Sequence, residues 1–299
     1  MATYTIRDLE KLSGIKAHTI RIWEKRYGLI EPQRTSTNIR TYCDLDLKRL
    51  LNVSLLNHNG LKISKIAHLS NDELTEKINN LQKNSTDAEN KIEALAISMI
   101  DLDEDRFEKI LSRAVIQLGF EETVIKVIYP FFQKIGIMWQ TGSINPAQEH
   151  FVSNLIRQKL LVAIDSQISV NTGNHKCFIL FLPEGELHEM GLLFFAYLIK
   201  KRGHRMIYLG QSVPMNDLIE VIRLRQADYI VTAFVSTYNG QDILQYLKNL
   251  SERVGRETIL VSGNQTEMLP PKLPSNITIM NSPVEFKDFL ENLNNFSQN

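Results

Sequence analysis

The chain has 299 residues, 43% of them hydrophobic, and a formal net charge of zero, which predicts two or three domains with real cores and excludes wholesale disorder. Because the global charge is balanced, a role in binding nucleic acid needs a local basic patch. Without a membrane-length apolar stretch or an apolar signal region, the sequence predicts a cytoplasmic protein with no membrane partner. Cys43 and Cys177 lie far apart and form no metal-ligand cluster or disulfide framework.

The N-terminal region predicts short helices separated by tight turns. Apolar residues at helical spacing predict helices over 5–12 and 16–27, with breaks at Gly14 and Gly28. Residues 29–42 are rich in Thr, Ser and Asn, which predicts an extended or looped segment before a further helix. Helix, turn, helix and an Arg-containing loop together indicate a winged helix-turn-helix.

The second predicted helix carries basic and polar residues around an apolar face of Ile20 and Trp23, and such a helix can lie in a DNA major groove. Residues 16–49 contain eight basic and four acidic residues, a local surplus that suits phosphate contacts. The candidate DNA-binding residues are Lys16, His18, Thr19, Arg21, Lys25, Arg34, Arg40 and Tyr42. The last three lie on or beside the wing, where phosphate contacts are expected. An ordinary charged face on a small helical domain explains the spacing alone equally well.

The residues themselves resemble a known family. Residues 18–29 (HTIRIWEKRYGL), 4–6 (YTI) and 40–42 (RTY) are similar to the MerR family of transcription regulators. The likeness covers roughly residues 3–72. It implies a dimer that binds and distorts double-stranded promoter DNA, and so acts on RNA polymerase indirectly. A two-fold protein also suits palindromic sites.

The rest of the chain divides into segments that differ in the spacing of their hydrophobic residues. Residues 76–89 are polar and predict a linker, and 90–170 predict a four-helix bundle with short connections. Pro130 lies inside a helical segment, where we expect a kink. The apolar run 177–182 predicts a buried parallel strand. Strands then alternate with helices, which predicts a Rossmann-like, doubly wound parallel sheet over 175–297.

A short motif follows the first predicted strand of the sheet. Glu186, His188 and Gly191 form Glu-x-His-x-x-Gly at the carboxyl end of a strand, where open parallel sheets bind ligands. The imidazole can present one nitrogen to a metal while Glu186 holds the proton on the other, and Gly191 allows close approach of a large ligand. As a bare pattern, a plain surface histidine is the commoner explanation. We interpret Glu184 and Glu189 as solvated loop residues.

This motif resembles the cobalamin-binding signature shared by methionine synthase, methylmalonyl mutase and their relatives. The resemblance implies that His188 is the axial ligand of cobalt, with Glu186 as its partner, and that the cofactor's displaced tail enters a slot in the sheet domain. It extends to Thr232, which keeps the hydroxyl of a family serine, and to Ser262-Gly263, where the family has two glycines. Ser262 adds bulk where the tail is expected to pass.

The predicted bundle carries a second match. Trp139, nine residues and then Glu149-His150 resemble the motif of the CarH and LitR light-responsive regulators, which implies that Trp139 packs over the upper face of a corrin. The implied cofactor is cobalamin, and adenosylcobalamin in particular. Apart from the resemblance, Trp139 would be a core aromatic and Glu149-His150 a helix-capping pair. Photoreceptor members have a histidine where this chain has Gln140, and an amide is a poor cobalt ligand.

The predicted architecture is multidomain α and α/β: a winged helix-turn-helix over 1–75, the four-helix bundle and the Rossmann-like sheet. The sequence contains no dinucleotide fingerprint, His-Glu-x-x-His pair or nucleophile elbow, so we predict no catalytic residues and no enzymatic activity.

Three functions fit these features. The first is a MerR-type regulator that senses cobalamin, and through it light, and alters its oligomerisation and operator binding. The second is a cofactor-independent MerR-type regulator whose C-terminal half oligomerises or docks a partner, which Ser262 and Gln140 favour. The third is a corrinoid-dependent methyl-transfer protein, which would need a partner barrel domain that the sequence does not supply.

Overall fold

The computed structural model describes residues 4–35, 38–84, 88–140, 144–167, 175–236 and 240–296. The chain forms two compact units, Met1–Leu155 and Ile156–Asn299. Within the described residues, the first unit is helical apart from a two-stranded ribbon, and the second is built on a five-stranded sheet.

Two helices joined by a tight turn open the first unit: α1 (Ile6–Ser13) and α2 (Ala17–Tyr27). The first begins at a capping box in which the side chains of Thr5 and Asp8 accept from each other's backbone N–H. Both helices end at a glycine with positive φ, Gly14 at 71° and Gly28 at 60°. Side chains with a Cβ rarely adopt this conformation, which is why the two predicted breaks occur there.

A short antiparallel ribbon and two more helices follow: β1 (Gln33–Arg34), β2 (Arg40–Thr41), α3 (Asp44–His58) and α4 (Ile63–Ile66). Tyr4 and Tyr42 exchange two backbone hydrogen bonds of 2.9 and 3.0 Å, so the end of the ribbon is tied to the segment before α1. Helix, turn, helix and ribbon form the winged helix-turn-helix that the sequence predicts. We call α1–α4 the helix-turn-helix module.

Further helices carry the chain through the first unit and into the second: α5 (Asn71–Asn84), α6 (Ala88–Asp101), α7 (Glu104–Leu118), α8 (Phe120–Thr123), α9 (Tyr129–Gln140) and α10 (Pro146–Asp165). The predicted linker 76–89 is helical on both of its described sides, and residues 85–87 lie outside the described part. Phe107 and Phe131 meet in the interior, with ring centroids 5.8 Å apart.

The structure has a π-turn, Val124–Ile128, directly before α9, where the sequence predicts a kink at Pro130. A proline has no N–H, and its ring crowds the carbonyl four residues earlier, which here belongs to Lys126. The wider π-turn spaces those carbonyls differently and so accommodates Pro130 in the second position of α9.

The second unit has five parallel strands in the order β4-β3-β5-β6-β7. The strands are β3 (Cys177–Pro183), β4 (Arg205–Val213), β5 (Tyr229–Ala233), β6 (Thr258–Ser262) and β7 (Ile277–Ile279). The helices are α11 (Met190–Lys201), α12 (Met215–Arg225), α13 (Gly240–Arg253) and α14 (Pro283–Phe296). Every residue of β3 is buried, as expected for a parallel strand covered on both faces. The predicted doubly wound sheet is confirmed.

The strand order reverses at β3, which has β4 on one side and β5 on the other. Loops that leave the carboxyl ends of β3 and β5 therefore diverge, and the crevice between such loops is where open α/β sheets bind ligands. The first loop contains residues 184–189 and the second begins at Phe234. The fold thus brings the Glu-x-His-x-x-Gly loop to the switch point.

Candidate DNA-binding and cofactor sites

Helix α2 separates a buried apolar face from an exposed polar one. Ile20 is fully buried and Trp23 nearly so, because they pack the helix onto the rest of the module. The predicted DNA-binding residues of this helix and its start are on the outside: Lys16, His18, Arg21 and Lys25 are exposed, and Thr19 is half-exposed, with Oγ1 3.3 Å from Nε2 of His18. An exposed basic face of this kind suits a major groove.

The wing is held by a carboxylate that the sequence reasoning passed over. Glu24 on α2 accepts from Nε of Arg40 at 3.1 Å and from the hydroxyl of Tyr42 at 3.1 Å. Arg34, in β1, donates to Oδ1 of Asn38 across the ribbon turn at 2.6 Å. Tyr42 is 2% exposed, so the predicted phosphate contact by its ring is wrong; it positions the wing instead. A lone acidic residue within the basic α2 was the available signal for Glu24.

At the switch point, a fully buried carboxylate holds His188. Glu186 is 0% exposed, and its Oε1 lies 2.7 Å from Nδ1 of His188. Its two oxygens also accept from four backbone N–H groups, those of Leu187, His188, Val235 and Ser236, at 2.7–3.0 Å. Burial alone raises the pKa of Glu186, but the hydrogen bonds from His188, Ser236 and Val235 outweigh it and hold the pKa well below its usual range.

Because Glu186 remains a carboxylate, it favours the proton on Nδ1 of His188 and makes Nε2 the nitrogen suited to a metal. The His188 side chain is 62% exposed, so the imidazole lies at the surface of the crevice while its partner, the Glu186 carboxylate, is buried. Gly191 lies half-buried in the first turn of α11. The geometry therefore fits the ligand role that the motif suggested.

Sequence reasoning missed a third member of this cluster. Ser236 Oγ donates to Oε1 of Glu186 at 2.8 Å and lies 3.2 Å from Nδ1 of His188. It follows β5, far from the motif in sequence, and the adjacency of β3 and β5 brings it in. A hydroxyl shortly after the third predicted strand is a weak signal on its own.

Glu189 differs from its predicted role. Its carboxylate is 5% exposed and accepts from Nε of Arg157 at 2.6 Å and from the hydroxyl of Tyr208 at 2.8 Å. The interpretation of Glu189 as a solvated loop residue is wrong. Hydrogen-bond donors on α10 and β4 offset the cost of burying its charge. Glu184 is exposed, as expected.

A second feature lies at the ends of β5 and β6. Thr232 is 0% exposed, and among the described residues its Oγ1 has no hydrogen-bond partner, which is costly for a buried hydroxyl. Ile230, on the same face of β5 as Thr232, and Phe234, the first residue after the strand, belong to the core between the sheet and α12–α13. An orphaned hydroxyl beside that core fits a polar ligand group entering there.

The glycine pair of the family pattern is half-present, and the structure shows what each residue does. Gly263 has φ +102°, and a Cβ on it would stand 2.1 Å from the carbonyl oxygen of Phe234, so this position requires glycine. Ser262, the last residue of β6, donates its hydroxyl to the carbonyl of Met280 at 2.9 Å. Its side chain lies on the face of β6 opposite Val261, the residue that pairs with Thr232. The bulk that Ser262 adds therefore lies on the other face of the sheet from Thr232.

In the first unit, Trp139, Glu149 and His150 do not have the structural roles, a core aromatic and a helix-capping pair, that are expected apart from the resemblance. Trp139 is 51% exposed, so it is not a core aromatic. The start of α10 is capped by Asn145 and Gln148, whose side chains accept from each other's backbone N–H. Glu149 instead bonds Nδ1 of His150 at 2.9 Å, so this pair is not the helix cap. Gln140 ends α9, and its side chain lies outside the described residues.

Comparison with known proteins gives these sites a context. Residues 4–73 match the model of the MerR HTH family regulatory proteins, and residues 91–163 match that of a B12 binding domain. The chain is 29% identical over 264 residues to the HTH-type transcriptional repressor CarH of Myxococcus xanthus, covering 85% of this chain and 86% of CarH. It is 26% identical to the repressor CarA of the same organism, covering 87% and 86%.

A solved structure shares the fold of the C-terminal part. The monomethylamine corrinoid protein of Methanosarcina barkeri superposes with a TM-score of 0.55 at 14% identity, covering 69% of this chain and 99% of that protein. Among the residues that the structure describes, no helix combines the length and the hydrophobicity that a membrane span requires. The chain is a MerR-type transcription regulator that carries a B12-binding domain and is homologous to the repressors CarH and CarA.

Proposed function

We propose that this regulator senses cobalamin, adenosylcobalamin in particular, and that the cofactor state alters its self-association and its affinity for operator DNA. The observation that carries the proposal is the His188–Glu186 pair. A carboxylate with no exposed surface, saturated by backbone N–H groups, is aimed at one nitrogen of an exposed imidazole. Such a base orients a histidine for metal ligation.

The residues of the crevice fit the parts of a cobalamin. His188, held by Glu186 and Ser236, would be the protein's ligand to the cobalt. Thr232 would give its unpartnered buried hydroxyl to the nucleotide tail, and Gly263 would leave the face clear. Trp139, Glu149 and His150 of the first unit are the further residues that we propose for contact with the corrin. When bound, the cofactor would supply a cobalt centre whose ligands can exchange, with light as one input.

The DNA-binding role is proposed for the exposed face of α2 and the wing. Lys16, His18, Thr19, Arg21 and Lys25 would enter the groove, while Arg34 and Arg40 would follow the backbone phosphates. Binding as a dimer to double-stranded promoter DNA would act on RNA polymerase through the shape of the promoter. A ligand shifts such a system to the extent that it binds one state better than another.

The test is cofactor uptake by the full chain. Protein incubated in the dark with adenosylcobalamin and passed through gel filtration should co-elute with the corrin, with a spectrum of histidine coordination. His188→Ala and Glu186→Gln should lose that spectrum, whereas Glu184→Gln, an exposed carboxylate in the same loop, should keep it. Illumination with green light then tests light as an input despite Gln140.

The opposite result is equally informative. If no corrin co-elutes with the wild-type protein, cobalamin sensing is wrong, and the chain is a cofactor-independent regulator whose C-terminal half works through protein contacts. Methyl transfer from bound methylcobalamin to an added thiol or amine acceptor would instead indicate the enzymatic alternative.

A further inference from the structure

A buried ion pair between α6 and α9 also contacts the helix-turn-helix module. We call α6, α7 and α9 the bundle. Nζ of Lys134, on α9, lies 2.5 Å from Oε1 of Glu93, on α6, and the two side chains are 15% and 13% exposed. The same Nζ donates to the backbone carbonyl of Leu12 at 3.0 Å. Leu12 lies in the last turn of α1, so one ammonium group connects three helices.

The Leu12 carbonyl suits a cation. The last carbonyls of a helix have no partners within the helix and carry its partial negative charge. Lys134 therefore satisfies an acceptor on the module while it neutralises a carboxylate of the bundle. Because the Lys134 ammonium must reach both acceptors at once, the contact constrains the relative orientation of the helices as well as the distance between them.

Glu93 depends on Lys134. Its Oε2 is buried and has no hydrogen-bond partner in the part of the chain that the structure describes. Burial raises the pKa of Glu93, although Lys134 opposes the shift. A buried carboxylate that loses its cation is left as an uncompensated charge, which is costly. Lys134 therefore fixes the position of α6 and α9 relative to α1 more strongly than an exposed ion pair would.

The contact continues to the DNA-binding helix. The backbone N–H of Ala17, the first residue of α2, donates to Oε2 of Glu10 on α1 at 3.1 Å, so the two helices are tied at their turn. At the other end of the path, Trp139 follows Lys134 on α9 by five residues, a rise of about 7.5 Å. The exposed indole and the carbonyl of Leu12 are thus joined through one helix.

We propose that Lys134 is a positioning residue for DNA recognition: it sets the helix-turn-helix module on the bundle and transmits displacements of α9 to α1 and α2. The first part stands on the contacts above, and the second rests on the proposed cobalamin function. Another contact across the same junction holds α3, since Lys48 pairs with Asp101 on α6 at 2.7 Å. Lys134 differs because it contacts α1.

The test compares the full-length wild type with the double variant Glu93→Gln/Lys134→Met, which removes both charges and leaves no unpaired ion. Lys126→Met is the matched control, because Lys126 makes an exposed i,i+4 pair with Glu122 just before α9. Without cofactor, hydrogen exchange of the α1 amides should rise about tenfold in the double variant, the effect of losing one buried interaction. Amides of α7 and the control should be unchanged.

The second measurement is operator affinity with and without adenosylcobalamin. Coupling between two sites is commonly about 5- to 150-fold, and in the double variant the ratio should fall to within about twofold while cofactor uptake is retained. A folded double variant with wild-type α1 exchange overturns the positioning role. One that keeps the wild-type ratio overturns transmission. If the wild type takes up no cobalamin, the proposed function and transmission both fail, and the α1 exchange alone decides the positioning role.

Discussion

Gly263 lies against Phe234 so closely that a Cβ on the glycine would stand 2.1 Å from the phenylalanine's carbonyl oxygen. The φ of +102° at this glycine adds a second obstacle for any other residue. Gly263→Ala should lower the free energy of unfolding by about 3 kcal/mol, because the ends of β5 and β6 must move apart. Urea unfolding followed by circular dichroism measures this loss.

Gly255→Ala is the control for that variant. A Cβ there would meet the end of the Glu257 side chain at 3.4 Å, so the change should stay within about 0.5 kcal/mol. Equal stabilities of the two alanine variants would contradict the close approach at Gly263.

Glu186→Gln tests the buried base of His188. An amide offers one acceptor oxygen where the carboxylate offers two, so buried N–H groups lose their partner, and the unfolding free energy should fall by about 2–3 kcal/mol at pH 7. Because the pKa of Glu186 is lowered by folding, the contribution of the carboxylate is complete above the ordinary glutamate pKa of about 4.3 and is lost as the pH falls through the lower folded-state pKa.

The difference in stability between wild type and Glu186→Gln should therefore be largest near neutral pH and should narrow below about pH 4. Glu184→Gln should match wild type throughout, since Glu184 is exposed. A constant difference from pH 7 down to about pH 3 would argue that the carboxylate is not stabilised in the folded state.

Lys25 and Arg40 should respond differently to salt. Each phosphate contact by a cation contributes about one to the slope of log affinity against log salt concentration. Lys25 is exposed on α2, so Lys25→Ala should lower both operator affinity and this slope. Arg40 is paired with Glu24, so Arg40→Ala should lower affinity through the wing's position with a smaller change of slope. Anisotropy titrations over a salt series measure both, and identical slope changes would count against the Glu24 pairing.

Tyr208→Phe tests the buried carboxylate of Glu189. The variant removes a hydrogen bond to a charged group and should cost about 1.5–3 kcal/mol of unfolding free energy. Tyr229→Phe is the comparison, because the ring of Tyr229 stacks on Phe178 with centroids 4.9 Å apart and phenylalanine keeps that contact. If the two variants lose the same stability, the Tyr208–Glu189 bond contributes little.

Local patterns predicted the elements and the motif loop well, because helix breaks, strand periods and the Glu-x-His-x-x-Gly spacing are short-range properties. Ser236 and the burial of Glu189 could not be read this way, since their partners are distant in sequence and meet only when β3 pairs with β4 and β5. The direction of Ser262 was in principle available from the alternation along β6. The helices that cover the described residues of 76–89 were predicted as a linker because of their polar composition. A polar composition is found in exposed helices as well as in linkers.

The π-turn at Val124–Ile128 has a consequence for how this helix can vary. A π-turn holds one extra residue within a single widened turn, so the helix after it keeps about the angular phase of a helix that lacks this residue. If all residues of Val124–Ile128 wound as regular α-helix, everything that follows would be rotated by about 100°. Lys134 and Trp139 both follow the π-turn on α9. The wider turn therefore helps to determine which neighbours the ammonium and the indole face.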